Sequence, residues 1–181
     1  MIGSMSLRSL LLLALMLCAP SAVAAEGEMS NYRLGTGDTI GVSVYDEKEL
    51  SVDKVRLSDA GTISMPMLGE IKVAGLTVSE LESRVAAGLK KYLINPRVTV
   101  SIEQYRDFFV NGQVHKPGNF PFQPGLTVRK AVAIAGGFKD RASQSHVAII
   151  HEADITHTPV KADLGMPVMP GDIITVEESF F

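Results

Sequence analysis

Asp46, Glu47 and Glu49 stand close enough in the chain to furnish a pair of carboxylates, the equipment for cleaving a glycosidic bond. That chemistry needs one carboxyl held protonated and another kept ionised across the bond, inside a shaped pocket. The flanking sequence supplies no partner for them, and a polar loop accounts for all three. His146, His151 and His157 are the next candidates, because imidazole is a common zinc ligand. Their spacing puts His146 and His151 on opposite faces of any strand that carries both, and surface positions explain them without a metal. Gly136-Gly137 lacks the fingerprint and the preceding strand that a phosphate cradle requires. Cys18, the sole cysteine, could accept a lipid, but Leu17 stands directly before it where a lipoprotein leader places a small residue. Catalytic residues, metal ligands and cofactor sites are therefore expected to be absent, and the reading is that the chain is not an enzyme.

The elements around these candidates begin with a leader. Arg8 supplies a positive start, Leu10 to Leu17 is an apolar run, and Ala22-Val23-Ala24 is a small-residue cleavage site, so residues 1–24 read as a secretory signal peptide. The apolar run is shorter than the roughly 20 residues a membrane-spanning helix needs. Cleavage after Ala24 would remove Cys18 and leave no thiol or disulfide chemistry. The formal charge of the 181-residue chain is −3 and its cations are scattered singly, which argues against nucleic-acid binding. At 46% hydrophobic residues the chain can build a packed core.

Residues 25–31 read as a flexible lead-in. From Asp38 the chain alternates, with Ile40, Val42 and Val44 on one face, and Asp46 to Leu50 breaks the pattern. Val52 to Leu57 and Thr62 to Met65 are further strands around the turn Ser58-Asp59-Ala60-Gly61, Pro66 ends the second, and Ile71 and Val73 form another. Thr77 with Glu80 makes a capping box for a helix running to about Lys91, with Val78, Leu81, Val85, Leu89 and Tyr92 as its apolar stripe. Asn95-Pro96 closes it, and Arg97 to Gln104 alternates again. Tyr105-Arg106-Asp107 marks a boundary between modules. Beyond it come a strand from Phe108 to Val114, a turn at Pro117-Gly118, and a shorter helix from Thr127 that buries Val128, Ala131, Val132 and Ala135 and stops at Gly136-Gly137. Val147 to Ile150 and Ile155 to Val160 read as a strand pair, and Ile173 to Glu177 as the last strand.

Two internal echoes run through this order. Gly75-Leu76-Thr77-Val78 returns as Gly125-Leu126-Thr127-Val128, each time after a glycine turn and a short strand that start at Gly69 and Gly118. Gly37-Asp38-Thr39-Ile40 is echoed by Gly171-Asp172-Ile173-Ile174, and turn chemistry explains the Gly-Asp pair without a binding role. The expected fold class is α+β, with two small mixed-sheet modules each carrying a packed helix.

With these pieces in place, residues 32–181 resemble the bacterial polysaccharide export proteins. Residues 32–105 look like that family's export signature domain through Tyr32-Arg33-Leu34-Gly35-Thr36-Gly37-Asp38, Asp59-Ala60-Gly61, Pro66, Gly69, Gly75-Leu76-Thr77 and Asn95-Pro96-Arg97-Val98. Residues 106–181 look like its soluble-ligand-binding β-grasp module through Asn111-Gly112-Gln113, Pro117-Gly118, Pro124-Gly125-Leu126-Thr127 and Ala135-Gly136-Gly137. The resemblance implies an exported, periplasmic or outer-membrane-associated protein that forms a homo-oligomeric ring. Such a ring would take polysaccharide from an inner-membrane co-polymerase and conduct it outward. The matched residues would be architectural. No pore helix is expected after Phe181, so the resemblance further implies reliance on a separate outer-membrane protein. The competing reading is a soluble periplasmic glycan- or ligand-binding protein. It is weakened by a chain without Trp, since sugar stacking uses aromatic faces.

Overall fold

The computed structural model describes residue 29 and residues 31–179, so the leader, Cys18 and most of the lead-in lie outside the described residues. Tyr32 onward forms one compact unit. The fold is α+β, as expected.

Alternating valines and isoleucines make the first sheet. β1 (Thr39–Val44) is its centre, with β2 (Val52–Arg56) on one side and β5 (Val98–Gln104) on the other, both antiparallel. Ile40, Val42 and Val44 are buried as their period of two requires. A single turn of 3-10 helix, Lys48–Leu50, joins β1 to β2 and is the break seen in the sequence. β3 (Thr62–Met65) and β4 (Gly69–Lys72) form a separate two-stranded hairpin beyond β2.

Helix α1 (Val78–Leu89) follows a complete capping box: Glu80 N–H donates to Thr77 Oγ1 at 3.3 Å, and Thr77 N–H donates to Glu80 Oε2 at 2.8 Å. Those bonds, the Thr77 N–H above all, hold the Glu80 carboxyl below the usual glutamate range. Leu81, Val85 and Leu89 bury the apolar stripe, but Tyr92 lies beyond the helix and is half exposed, a correction to the sequence reading. The helix packs along β5, the free edge of the first sheet, where Glu82 Oε1 accepts the Val100 N–H at 2.9 Å. An unpaired edge N–H is thereby satisfied by a side chain, which blunts that edge for strand pairing.

The second sheet has the order β7-β6-β10-β8-β9, built from β6 (Phe108–Gly112), β7 (Gly118–Phe120), β8 (Ala142–Ile150), β9 (Val160–Lys161) and β10 (Ile173–Glu178). β6 and β10 are parallel and the other pairs antiparallel, so mixed pairing is confined to this sheet. Helix α2 (Val128–Ile134) starts at Thr127, whose Oγ1 accepts the Lys130 N–H at 3.4 Å, and it buries Val128, Ala131 and Val132. Lys130 stands where α1 has Glu80, so this cap has one half of the box only.

One predicted strand is mostly absent. Residues 155–159 form a turn, and of the strand expected from Ile155 only Val160 remains, in the two-residue β9 that flanks β8 on the side away from β10. Asp154 takes the N–H groups of Thr156 and Thr158 at 2.9 and 3.2 Å, closing the segment on itself, and His157 sits at φ 50°. The local side-chain bonds displace the ladder that the alternation had suggested.

Candidate functional site

The two Gly-Asp turns are built alike. In each, the aspartate side chain accepts the N–H three residues back: Gly35 to Asp38 Oδ2 at 2.7 Å, Met169 to Asp172 Oδ2 at 2.8 Å. In each, the aspartate N–H returns a bond to the carbonyl of that same residue at 3.2 Å. Each aspartate carbonyl then accepts an N–H from the neighbouring strand side, Leu57 for Asp38 and Phe109 for Asp172, both at 2.8 Å. Gly37 and Gly171 share the left-handed conformation, φ 91° and 87°. Both carboxylates are fully buried.

Arg106 ties the turns together. Its backbone N–H donates to Asp38 Oδ1 at 2.8 Å, and its Nη1 donates to Asp38 Oδ2 at 3.1 Å and to the Tyr32 hydroxyl at 2.6 Å. The Tyr32 hydroxyl in turn donates to Asp38 Oδ2 at 2.6 Å, and the guanidinium lies 5.6 Å from the centre of the Tyr32 ring. On its other side, Arg106 Nε pairs with Glu152. Glu152 reaches the second turn, because its own N–H faces Asp172 Oδ1 at 3.4 Å and its carboxylate leaves no room for a Cβ on Gly171. Gly35 is needed for a related reason, since a side chain there would run into the Arg106 guanidinium. His151 Nδ1 meets Asp172 Oδ2 at 3.0 Å.

Burial and neighbouring charges together set the proton affinities here. The Tyr32 phenol is pushed far above its ordinary value, first by desolvation and then by its bond to Asp38. Arg106, flanked by Tyr32, Asp38 and Glu152, holds its proton more tightly than an exposed arginine despite its burial. The Asp172 carboxyl is pushed up by burial, against the lowering effects of the Met169 N–H and His151. Tyr32, Tyr105 and Phe122 continue the junction as edge-to-face aromatic contacts, with centroids 5.1 and 5.3 Å apart. A cleft of about 490 Å³ opens beside Arg106.

The sequence-selected residues divide around this junction. Tyr32, Gly35, Gly37 and Asp38 belong to it. Arg33 is on the surface and donates to the Gly75 carbonyl at 2.6 Å and to Glu80 at 3.4 Å. Gly61, Pro66 and Gly69 shape the β3–β4 hairpin, and Asp59 is exposed in its turn. Pro96 precedes β5, Gly112 ends β6, and Pro117-Gly118 leads into β7. Gly75 and Gly125 precede the two capping threonines, and the Gly137 carbonyl accepts the His115 N–H after α2. Asp46 is exposed before the 3-10 turn and Glu49 within it, and neither carboxylate accepts a hydrogen bond among the described residues. His146 bonds Ser143 at 2.8 Å on β8, His157 is exposed in its turn, and no three His, Cys, Asp or Glu converge among the described residues. His151 is more than a surface residue, which corrects the sequence reading. Arg106, Glu152 and Asp172 were missed as a group, although the Gly-Asp echo was the signal that two alike buried acids needed partners.

Residues 26–103 match the family described as Polysaccharide biosynthesis/export protein, and residues 108–154 match the SLBB domain. The chain belongs to the bacterial polysaccharide export proteins. It is 30% identical over 140 residues to the exopolysaccharide production protein ExoF of Rhizobium meliloti, covering 70% of this chain and 33% of that protein. It is 31% identical over 131 residues to the EPS I polysaccharide export outer membrane protein EpsA of Ralstonia nicotianae, covering 59% of this chain and 34% of the relative. Against the capsule polysaccharide export outer membrane protein CtrA of Neisseria meningitidis serogroup A it is 26% identical over 168 residues, 87% of this chain and 40% of the relative. The chain thus spans about a third of the length of the first two of these curated relatives. Arg106 falls between the two matched segments, at the seam of the family's two parts.

Proposed function

We propose that this chain is a component of a capsule or exopolysaccharide export translocon, exported from the cytoplasm and working in the periplasm or at the outer membrane. The observation that carries this is the tandem of an export domain and an SLBB domain in one compact unit, joined by the Arg106 junction. The junction has the properties of a structural lock and not of a reaction centre. Its Asp38 carboxylate takes donors on both oxygens, and its arginine is committed to Asp38 and Glu152. No bond need be made or broken for a polymer to pass.

In this reading residues 32–105 and 106–181 are two modules of one protomer, and copies assemble head to tail into a closed ring that encircles the polymer delivered by an inner-membrane co-polymerase. A ring of this kind joins two different surfaces of each copy. Two separate sets of exposed apolar residues support it. Tyr45, Tyr92 and Ile94 lie by the start of β5, with Ile94 97% exposed; Ile155 and Val160 lie by β9, with Ile155 94% exposed. Ile94→Asp and Ile155→Asp should each reduce the mass seen by light scattering to that of the protomer, while the two variants keep the wild-type melting temperature. A wild-type protein that stays monomeric with its co-polymerase present contradicts the ring. Deleting the gene should leave polymer trapped inside the cell envelope, and unchanged secretion contradicts the export role itself.

A further inference from the structure

The cleft beside Arg106 has chemistry that the structural lock does not use. Its lining includes Arg56, Gln104, Tyr105, Phe109 and Asn119, with Arg106, Asp107 and Glu152 at the junction side. Two cations stand against two carboxylates, so the lining offers no net charge with which to select an ion. The Arg56 guanidinium and the Gln104 amide have no hydrogen-bond partner among the described residues. Asn119 donates to Asp107 Oδ2 at 2.6 Å, leaving its own carbonyl and the second Asp107 oxygen open. These are planar groups that present donors and acceptors side by side, the pattern that pairs with neighbouring hydroxyls.

The aromatic side chains complete it. The chain is poor in aromatics, yet two of them line this one cleft. Tyr105 is fixed edge-on between Tyr32 and Phe122, and Phe109 is 42% exposed on the outer face of β6. An apolar ring face beside unpaired planar polar groups fits the two sides of a pyranose, one of C–H bonds and one of hydroxyls. The volume of about 490 Å³ lies within the range of small-molecule sites, and the position between two sheets is where such sites collect.

We propose that this cleft is a binding site for a neutral pyranose unit of a glycan, with Gln104, Arg56 and Asn119 holding hydroxyls and Phe109 covering the ring's C–H face. The proposal rests on the export reading for the source of the glycan. It answers how a net-acidic protomer handles a sugar chain: contact is made where the local charge cancels.

The test is a titration of the isotopically labelled protein, followed through its amide resonances, with neutral tetrasaccharides of glucose, galactose and mannose and with tetragalacturonate. At least one neutral tetrasaccharide should shift the amides of Gln104, Tyr105, Phe109 and Asn119 at concentrations up to about 10 mM. Phe109→Ala and Gln104→Ala should each weaken it about tenfold, with the remaining resonances unmoved as proof of folding. Silence with all three neutral sugars, shifts confined to another surface, or tighter binding of tetragalacturonate at low salt overturns the assignment. The two proposals fail separately. If deletion blocks secretion but no sugar binds, the export role stands and the site falls; if the sugar binds here but deletion leaves secretion intact, the site stands and the export role falls.

Discussion

The Gly-Asp turn before β1 and the one before β10 have the same backbone bonds, the same left-handed glycine and the same depth of burial, but their acids have different partners. Asp38 faces a guanidinium that is always charged, with N–H or O–H donors on both oxygens. Asp172 faces an imidazole, whose charge depends on pH, and its Oδ1 has only a long contact to the Glu152 N–H. A repeated backbone device therefore carries two electrostatic roles. One turn anchors the Arg106 lock, and the other closes a strand at an electrostatic cost.

Substitutions can break this contrast, and the largest effect should come from Arg106. Arg106→Ala strands Asp38 without its cation and should lower stability by about 3–5 kcal/mol, measured by urea unfolding. A loss under 1 kcal/mol would mean that the lock is ornamental. Next comes one substitution applied to both turns. Asp38→Asn turns an amide N–H₂ toward either the Arg106 N–H or the Gly35 N–H, leaving a buried donor unpaired, and should cost about 2–3 kcal/mol. Asp172→Asn can keep its carbonyl oxygen toward the Met169 N–H and His151, so it should be neutral or slightly stabilising at pH 7.

The pH dependence sharpens the same comparison. The Asp172 carboxyl titrates higher in the folded chain than in the unfolded one. Its contribution to stability is therefore fully present below the unfolded value and lost as pH rises through the folded value. The advantage of Asp172→Asn over wild type should accordingly shrink as pH falls from 7 toward the ordinary aspartate range near 4. An advantage that grows on acidification would show that the His151 contact outweighs desolvation. The smallest effect separates the two helix caps. Thr77→Ala removes one side of a reciprocal box and should cost about 1 kcal/mol, whereas Thr127→Ala, with Lys130 opposite and a 3.4 Å bond, should cost about half of that.

Much of this fold is legible in the sequence because its causes are local. Ile40, Val42 and Val44 alternate into the first core, Thr77 and Thr127 announce their helices, and the four-residue repeat around them marks a shared turn and cap. The turn at 155–159 is hidden in the sequence, because Ile155 and Val160 suggest a ladder while Asp154 claims the N–H groups of Thr156 and Thr158. The junction was illegible for a different reason. Tyr32, Asp38, Arg106 and Glu152 are spread over more than 100 residues, and Arg106 by itself looks like a loop cation between modules. Only the second Gly-Asp pair hinted that a buried acid recurs, and the cation that serves the first acid and reaches toward the second can be found only when the chain is folded.

The export role is tested most directly by following newly made polymer. Cells depleted of this protein, fed a labelled sugar and then chased, should retain the label in high-molecular-weight polymer inside the envelope, and re-expression of the chain should release it to the medium. Label reaching the medium at the undepleted rate would contradict the account.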